Sequence, residues 1–177
     1  MPLAKLQITE LQSEPSVVAA LGDMLVETVA HGGSIWFMHP VPPQAARDFW
    51  EDSLRDHDRI VFGAWDDGEL VGTVSLILCP FPNQVHRAEI AKMMTRVSHR
   101  RRGVATALME AAERAAQERG RTLLVLDTAE IDGAGPLYER LGFQKAGVIP
   151  DYAFLPHGGL TGTILYWKRI GGGPGQA

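Results

Sequence analysis

The sequence predicts an α/β fold in which helices cover both faces of one mixed, twisted sheet of six to seven strands. The first observation is an alternation along the chain between runs of strand character and runs whose apolar residues recur every three to four positions. The second is that residues 123–126 are apolar without interruption, as expected for a strand covered on both faces. A length of 177 residues without an internal repeat suits a single domain of this kind.

The first half of the chain is expected to form a strand, two helices and a hairpin. The two helical runs are separated by a proline-rich loop, and an Asp-Asp-Gly-Glu turn at 66–69 joins the two strands of the hairpin. In order, we expect a strand over residues 3–8, helices over 15–29 and 44–57, and hairpin strands over 59–65 and 70–79.

The second half is expected to supply the rest of the sheet. Apolar residues repeat at helical spacing from Val104 to Ala115, and Gly120 closes this helix. We expect strands over residues 85–97, 123–126, 143–149 and 163–167. The domain is expected to span residues 1–169, and residues 170–177 to form a flexible glycine-rich tail.

The composition argues against several kinds of partner and compartment. A net charge of −4 argues against nucleic acid, although it allows one anionic ligand in a local basic pocket. Cys79 is the only cysteine, so no internal disulfide can form. The first residues lack the pattern of a signal peptide, and no apolar run approaches the roughly 20 residues of a membrane span. We therefore expect a cytoplasmic protein without nucleic-acid or membrane partners, and we leave a homodimer open.

A basic loop containing a glycine leads into the helix that starts at Val104. Its residues are Arg100, Arg101, Arg102, Gly103, Val104, Ala105 and Thr106. The start of a helix exposes unpaired backbone N–H groups and the positive end of the helix dipole, which together favour a phosphate. Gly103 has no side chain to keep a ligand from the backbone. The alternative interpretation is a solvated basic turn before a surface helix.

Several other site motifs are absent from the sequence. It contains neither the P-loop G-x-x-x-x-G-K-[ST] nor the dinucleotide-binding G-x-G-x-x-G. It also lacks the G-x-S-x-G turn that a serine hydrolase would need. Because H-E-x-x-H and paired cysteines are missing too, we expect no metal.

Two motifs resemble the signatures of the GCN5-related N-acetyltransferase (GNAT) superfamily. Arg100-x-x-Gly103-x-Ala105 matches [QR]-x-x-G-x-[GA], and Ala134-x-x-x-Tyr138-Glu139-x-x-Gly142-Phe143 matches A-x-x-x-Y-E-x-x-G-F. Within the superfamily, the chain resembles the tabtoxin resistance acetyltransferases. The stretches that carry this second resemblance are residues 27–29, 31–34, 87–89, 126–128, 149–153 and 166–168.

The resemblance implies that acetyl-coenzyme A is the cosubstrate. It places Met93, Met94 and Thr95 on the strand whose backbone pairs with the pantetheine arm, where one N–H group would polarise the thioester carbonyl. It also implies that backbone amides of residues 101–106 hold the pyrophosphate, with charge added by the arginines. For the two methionine side chains, core filling is the alternative.

Acetyl transfer needs a base for the acceptor and an acid for the leaving thiolate. Glu89 and Asp127 are the candidate bases, since the carboxyl ends of adjacent parallel strands are where such sheets bind ligands. Tyr138 is the candidate acid, and no acyl-enzyme is expected. The alternatives are an ion pair of Glu89 with Arg87 or Lys92, a turn cap by Asp127, and packing of Tyr138 under the sheet.

The acceptor site is expected near the break after the first helix. By resemblance, His31, Gly33 and Phe37 would contact the substrate, and Trp36 and Tyr152 would line its pocket, although packing is the alternative for these aromatic residues. The resemblance implies a small acceptor with an amine or hydroxyl, such as an amino-acid-like compound or a toxin. The competing functions are a non-catalytic acyl-coenzyme A-binding module and a transferase for longer acyl groups.

Overall fold

The computed structural model describes residues 6–171. The strands are β1 (Gln7–Glu10), β2 (Arg59–Asp66), β3 (Glu69–Leu78), β4 (Arg87–Thr95), β5 (Leu123–Ala129), β6 (Gln144–Phe154) and β7 (Leu160–Arg169). The helices are α1 (Pro15–Ala30), α2 (Pro43–Arg55), α3 (Val104–Glu118) and α4 (Gly135–Arg140), and a single turn of 3-10 helix spans Val97–His99.

Within residues 6–171, the seven strands form one mixed sheet, in the order β1-β2-β3-β4-β5-β7-β6. Every neighbouring pair is antiparallel except β4 and β5, which run parallel. A parallel pair needs a crossover connection, and α3 supplies it. The predicted fold class is therefore confirmed.

Two apolar clusters bury the opposite faces of the sheet. On one face, α3 packs against β2, β3 and β4, and its buried residues Val104, Leu108 and Ala112 recur at helical spacing. On the other face, α1 and α2 pack together over β2, β3 and β4, with Leu21 and Trp50 fully buried. The C-terminal ends of β4 and β5 and the N-terminus of α3 lie together at one end of this sheet and line a cleft.

The predicted elements are found, with shifts at their ends. β6 continues to Phe154, past Pro150, because an irregularity between Ile149 and Ala153 accommodates the proline at the sheet edge. The first strand is found at Gln7–Glu10, and residues 3–5 of the predicted strand lie outside the described part of the chain.

The C-terminal end of the domain extends further than predicted. Ile170 was expected to begin the tail, but it is buried and its N–H group donates a 2.9 Å hydrogen bond to the Thr122 carbonyl. Residues 172–177 of the predicted tail lie outside the described residues. Between residues 6 and 171, no helix is both long enough and apolar enough to cross a membrane.

Candidate active site

The parallel strands β4 and β5 pair over only part of their length. Their register runs from Arg87↔Leu123 to Glu89↔Val125, and beyond these pairs β4 continues to Thr95 and β5 to Ala129. The divergence opens a cleft of about 1070 Å³. Its walls are the loop between α1 and α2, the second half of β4, the basic loop with the first turn of α3, the end of β5, α4, and parts of β6 and β7.

The basic loop enters this cleft at the N-terminus of α3. Gly103 is the N-cap residue and has a φ of +86°, a left-handed conformation that glycine adopts without strain. Six of the seven predicted pyrophosphate-binding residues line the cleft: Arg100, Arg101, Gly103, Val104, Ala105 and Thr106. Arg102 does not, because its guanidinium turns to Asp66, 3.8 Å away.

The three predicted pantetheine-binding residues, Met93, Met94 and Thr95, all line the cleft. Next to them, Thr73 pairs with Met94 and Ser75 with Ala91, so β4 carries one more residue than β3 between these pairs. Such a bulge leaves backbone groups outside the ladder. The strand can therefore offer N–H groups to a ligand at this point.

The bulge also changes which face of the sheet the β4 side chains reach. Ile90 packs in the α3 cluster, whereas Met94, four residues later, belongs to the α1–α2 cluster. In a regular strand these two residues would share a face. Lys92 lies between them with a φ of +53°.

The two predicted bases both line the cleft. Glu89 is half-buried, and burial raises its pKa, with a further increase from the charge of Asp127; Arg87, Lys92 and Arg59 act in the opposite direction. Asp127 accepts a 2.8 Å hydrogen bond from the Thr163 hydroxyl, which orients its carboxylate. A carboxylate with a raised pKa is a stronger proton acceptor, as a general base requires.

Tyr138 lies on α4 and also lines the cleft. It is buried, and its ring packs edge-on against that of Phe143, with 5.9 Å between the ring centres. The centre of the Tyr166 ring lies 6.1 Å away. Burial raises the pKa of its phenol, and the charge of Asp127 raises it further. The hydroxyl therefore keeps its proton at neutral pH and can act as a hydrogen-bond donor.

The predicted acceptor-site residues are placed differently from one another. Phe37 and Gly33 line the cleft, and Gly33 also packs tightly, since a Cβ there would come within 2.5 Å of Thr28. Trp36 and Tyr152 line it as well. His31 does not; it ends α1, and its Nδ1 lies 2.9 Å from the Glu27 carbonyl oxygen.

Lys92 was not predicted as a site residue, although it lines the cleft. Its side chain is only 6% exposed, and its ammonium lies 3.0 Å from the centre of the Trp36 ring. Burial lowers its pKa to about 7. The positive charge of Arg59 also lowers this pKa, whereas the negative charges of Asp127 and Glu89 raise it. The signal in the sequence was a lysine at the position where the alternation of Ala88, Ile90 and Met94 demands a buried residue.

Two other chemistries have no support in the described part of the chain. Cys79 is buried at the end of β3, outside the cleft lining, with its Sγ 3.3 Å from Gln84 Oε1. Among residues 6–171, no group of three or more His, Cys, Asp or Glu side chains is arranged to hold a metal ion.

Comparison with known proteins agrees with this architecture. The sequence model of the Acetyltransferase (GNAT) family matches residues 25–143. The uncharacterized N-acetyltransferase YsnE of Bacillus subtilis (strain 168) is 31% identical over 119 residues, which cover 66% of this chain and 76% of that protein.

Solved structures show the same fold at low sequence identity. An N-acetyltransferase from Staphylococcus aureus Mu50 superposes with a TM-score of 0.80 at 16% identity, covering 94% of this chain and 99% of the other. An aminoglycoside 6'-N-acetyltransferase complexed with coenzyme A superposes with a TM-score of 0.76 at 21% sequence identity. The superposition covers 96% of this chain and 99% of the other. From the family match, the relative and the shared architecture, the chain belongs to the acetyltransferase (GNAT) family.

Proposed function

We propose that the protein transfers the acetyl group of acetyl-coenzyme A directly to an amine or hydroxyl of a small molecule. The observation that carries this proposal is the cleft between β4 and β5, which contains the N-terminus of α3, the bulged strand and three ionisable side chains suited to acid and base chemistry. These side chains are Glu89, Asp127 and Tyr138.

The cosubstrate would bind along one wall of the cleft. Backbone N–H groups of the basic loop and the first turn of α3 are suited to the pyrophosphate, and Arg100 and Arg101 add positive charge. The pantetheine arm would pair with β4 near Met93, where the bulge interrupts the ladder with β3. A free N–H group there would stabilise the oxyanion of the tetrahedral intermediate, an effect worth about 3 kcal/mol.

The acceptor must lose a proton before or during attack. For an amine with a pKa of about 10.4, only about one molecule in 2,500 is neutral at pH 7, so freeing the lone pair costs about 4.6 kcal/mol. Glu89, with Asp127 beside it, would take this proton. The nitrogen lone pair then forms the C–N bond, collapse of the intermediate breaks the C–S bond, and the second proton of the nitrogen passes to the departing thiolate or to solvent.

The departing thiolate needs a donor. Tyr138 would donate a hydrogen bond to it as negative charge develops, since its raised pKa keeps the phenol protonated. Direct attack is favoured over an acyl-enzyme because Cys79 lies outside the cleft lining.

The acceptor class is drawn from the resemblance to the tabtoxin resistance acetyltransferases and from the cleft wall. We propose an amino-acid-like compound, including toxins of that kind, held beside Phe37, Trp36 and Tyr152. The cytoplasm is the proposed compartment.

The test is release of the coenzyme A thiol from acetyl-coenzyme A in the presence of a panel of amines and amino-acid-like hydroxyl compounds, with mass spectrometry of the product. Acceptor-dependent release and an acetylated product are expected. Tight binding of coenzyme A without release for any acceptor would favour the competing function, a non-catalytic acyl-coenzyme A-binding module.

A further inference from the structure

Lys92 is a buried cation inside the cleft. Its side chain is 6% exposed, although it belongs to a residue type that is almost never buried without a partner. Between residues 6 and 171, its ammonium takes part in no salt bridge and no hydrogen bond. A buried ammonium without an anion loses hydration that nothing replaces fully.

Aromatic rings give Lys92 part of that replacement. The ammonium lies 3.0 Å from the centre of the Trp36 ring and 5.7 Å from that of Phe49, and both contacts are cation–π interactions. Trp36 is itself 73% exposed and lies in the loop between α1 and α2. The cover over the ammonium is therefore a side chain at the open side of the cleft, which an entering ligand can reach.

The β4 bulge determines what surrounds this ammonium. Because the bulge lies between Ile90 and Met94, the Lys92 side chain lies on the face of the sheet that α1 and α2 cover. Glu89 precedes the bulge and lies on the same face, since its neighbour Ile90 lies on the opposite one. The charged groups that act on Lys92 are Glu89 on its own strand, Arg59 on β2 and Asp127 on β5. The acceptor side of the cleft thus has two carboxylates, those of Glu89 and Asp127. Beside them lies the ammonium of Lys92, with the positive charge of Arg59 near it.

We propose that Lys92 is the specificity-determining residue for the acceptor and binds a carboxylate that the acceptor carries beside its reactive amine. The inference rests on the proposed function, in which that amine faces Glu89 and Asp127. A zwitterionic acceptor matches the charges of this wall, because its ammonium lies toward the two carboxylates and its carboxylate toward Lys92. A polycationic acceptor would place further positive charge beside Lys92 and Arg59, and the repulsion between like charges makes this unfavourable.

The experiment compares acceptors that differ only in the anion. The probes are the twenty common L-amino acids and their C-terminal carboxamides, with kanamycin as a polycationic amine. Each is tested by thiol release with acetyl-coenzyme A, and by calorimetric titration into protein saturated with coenzyme A, which needs no turnover. The variants are Lys92→Met and, as the matched control, Lys145→Met, which changes an exposed lysine outside the cleft.

Wild type should prefer at least one acid over its carboxamide. This preference should fall by 10- to 100-fold in Lys92→Met, mainly through a higher KM for the acid. It should persist in Lys145→Met. The change in this ratio between variants is the quantity measured, since the amine pKa differs between an acid and its amide. Affinity for acetyl-coenzyme A should be the same in all three proteins, which shows that Lys92→Met is folded.

Each other outcome separates the two proposals. Equal binding of acids and carboxamides by wild type, or an unchanged preference in Lys92→Met, overturns the role of Lys92. Turnover of kanamycin in preference to every acid overturns it too, while leaving acetyl transfer intact. Lys92-dependent binding of acids without any thiol release would instead support the carboxylate site and overturn the proposed function.

Discussion

The Glu27 carboxylate lies 2.8 Å from the Arg96 guanidinium and also accepts a 3.1 Å hydrogen bond from the Val97 N–H group. It thereby ties the last turns of α1 to the point where β4 leads into the basic loop. Burial raises the pKa of Glu27, but the hydrogen bonds from Arg96 and Val97 and the arginine charge outweigh this effect, so the pKa lies below its usual range. The contact is therefore an ion pair at neutral pH.

Glu27→Gln should lower the free energy of unfolding at pH 7 by about 1 to 3 kcal/mol, the usual cost of losing a charge-assisted hydrogen bond. Since the folded pKa lies below the unfolded one, the stabilisation is present above the unfolded pKa of about 4.3 and is lost as pH falls through the folded pKa. Urea unfolding at pH 7 and pH 3 measures the difference.

The control for this change is Glu51→Gln, because Glu51 pairs with Arg55 at 2.6 Å but is 44% exposed, compared with 25% for Glu27. An exposed pair of this kind contributes about 0.3 to 0.5 kcal/mol. Equal losses in the two variants would contradict a structural role for the Glu27–Arg96 pair.

Gly103→Val should lower the affinity for acetyl-coenzyme A by at least about tenfold, because a side chain would occupy the path of the pyrophosphate to the backbone. Calorimetry measures the affinity. Gly68→Val is the matched control, since Gly68 also has a positive φ, of +80°, and lies in the β2–β3 turn, outside the cleft lining. Both variants should lose stability through backbone strain, and only Gly103→Val should lose affinity; unchanged affinity there would mean that the loop does not bind the pyrophosphate.

Tyr138→Phe should lower kcat by roughly 10²- to 10⁴-fold, the usual range for a lost general acid, with little change in the affinity for acetyl-coenzyme A. The ring and its packing against Phe143 remain, so the fold should persist. Tyr166→Phe is the control, because its hydroxyl donates a hydrogen bond to Glu139, outside the cleft lining. The measurement is the steady-state kcat of both variants. Wild-type turnover by Tyr138→Phe would show that Tyr138 does not act as the general acid.

Glu89→Gln should abolish the acidic limb of the pH dependence of kcat/KM if Glu89 is the base. Its raised pKa means that wild type loses activity as pH falls through a value above the ordinary 4.3 of a glutamate. Asp127→Asn should move this limb to lower pH, since the charge of Asp127 helps to raise the pKa of Glu89. If instead Asp127→Asn removes the limb and Glu89→Gln keeps it, Asp127 is the base.

Glu89→Gln should raise stability, whereas Glu27→Gln should lower it, because the pKa of Glu89 is raised and that of Glu27 is lowered. A carboxyl group whose folded pKa is raised contributes stability below its unfolded pKa and loses it as pH rises through the folded value. Glu89→Gln should therefore gain stability relative to wild type between pH 4 and pH 8, as measured by denaturant unfolding. A relative gain of the same size in Glu51→Gln would show that burial of Glu89 is not the cause.

The sequence by itself determined the fold class, the order of the elements and the loop that opens α3. These features depend on neighbours a few residues apart: the apolar spacing of α3, the glycine at its start and the turn between β2 and β3. Local sterics and local burial act over such distances, so the pattern is visible in the chain.

Only the tertiary structure decided which side chains meet in the cleft. No expectation drawn from the sequence placed Lys92 in the site, because the bulge in β4 is what brings it to the α1–α2 face, beside Trp36. Likewise, Asp66 turns Arg102 out of the cleft lining. Strand register, bulges and ion pairs between distant segments depend on how the whole sheet is packed, and no local pattern encodes that packing.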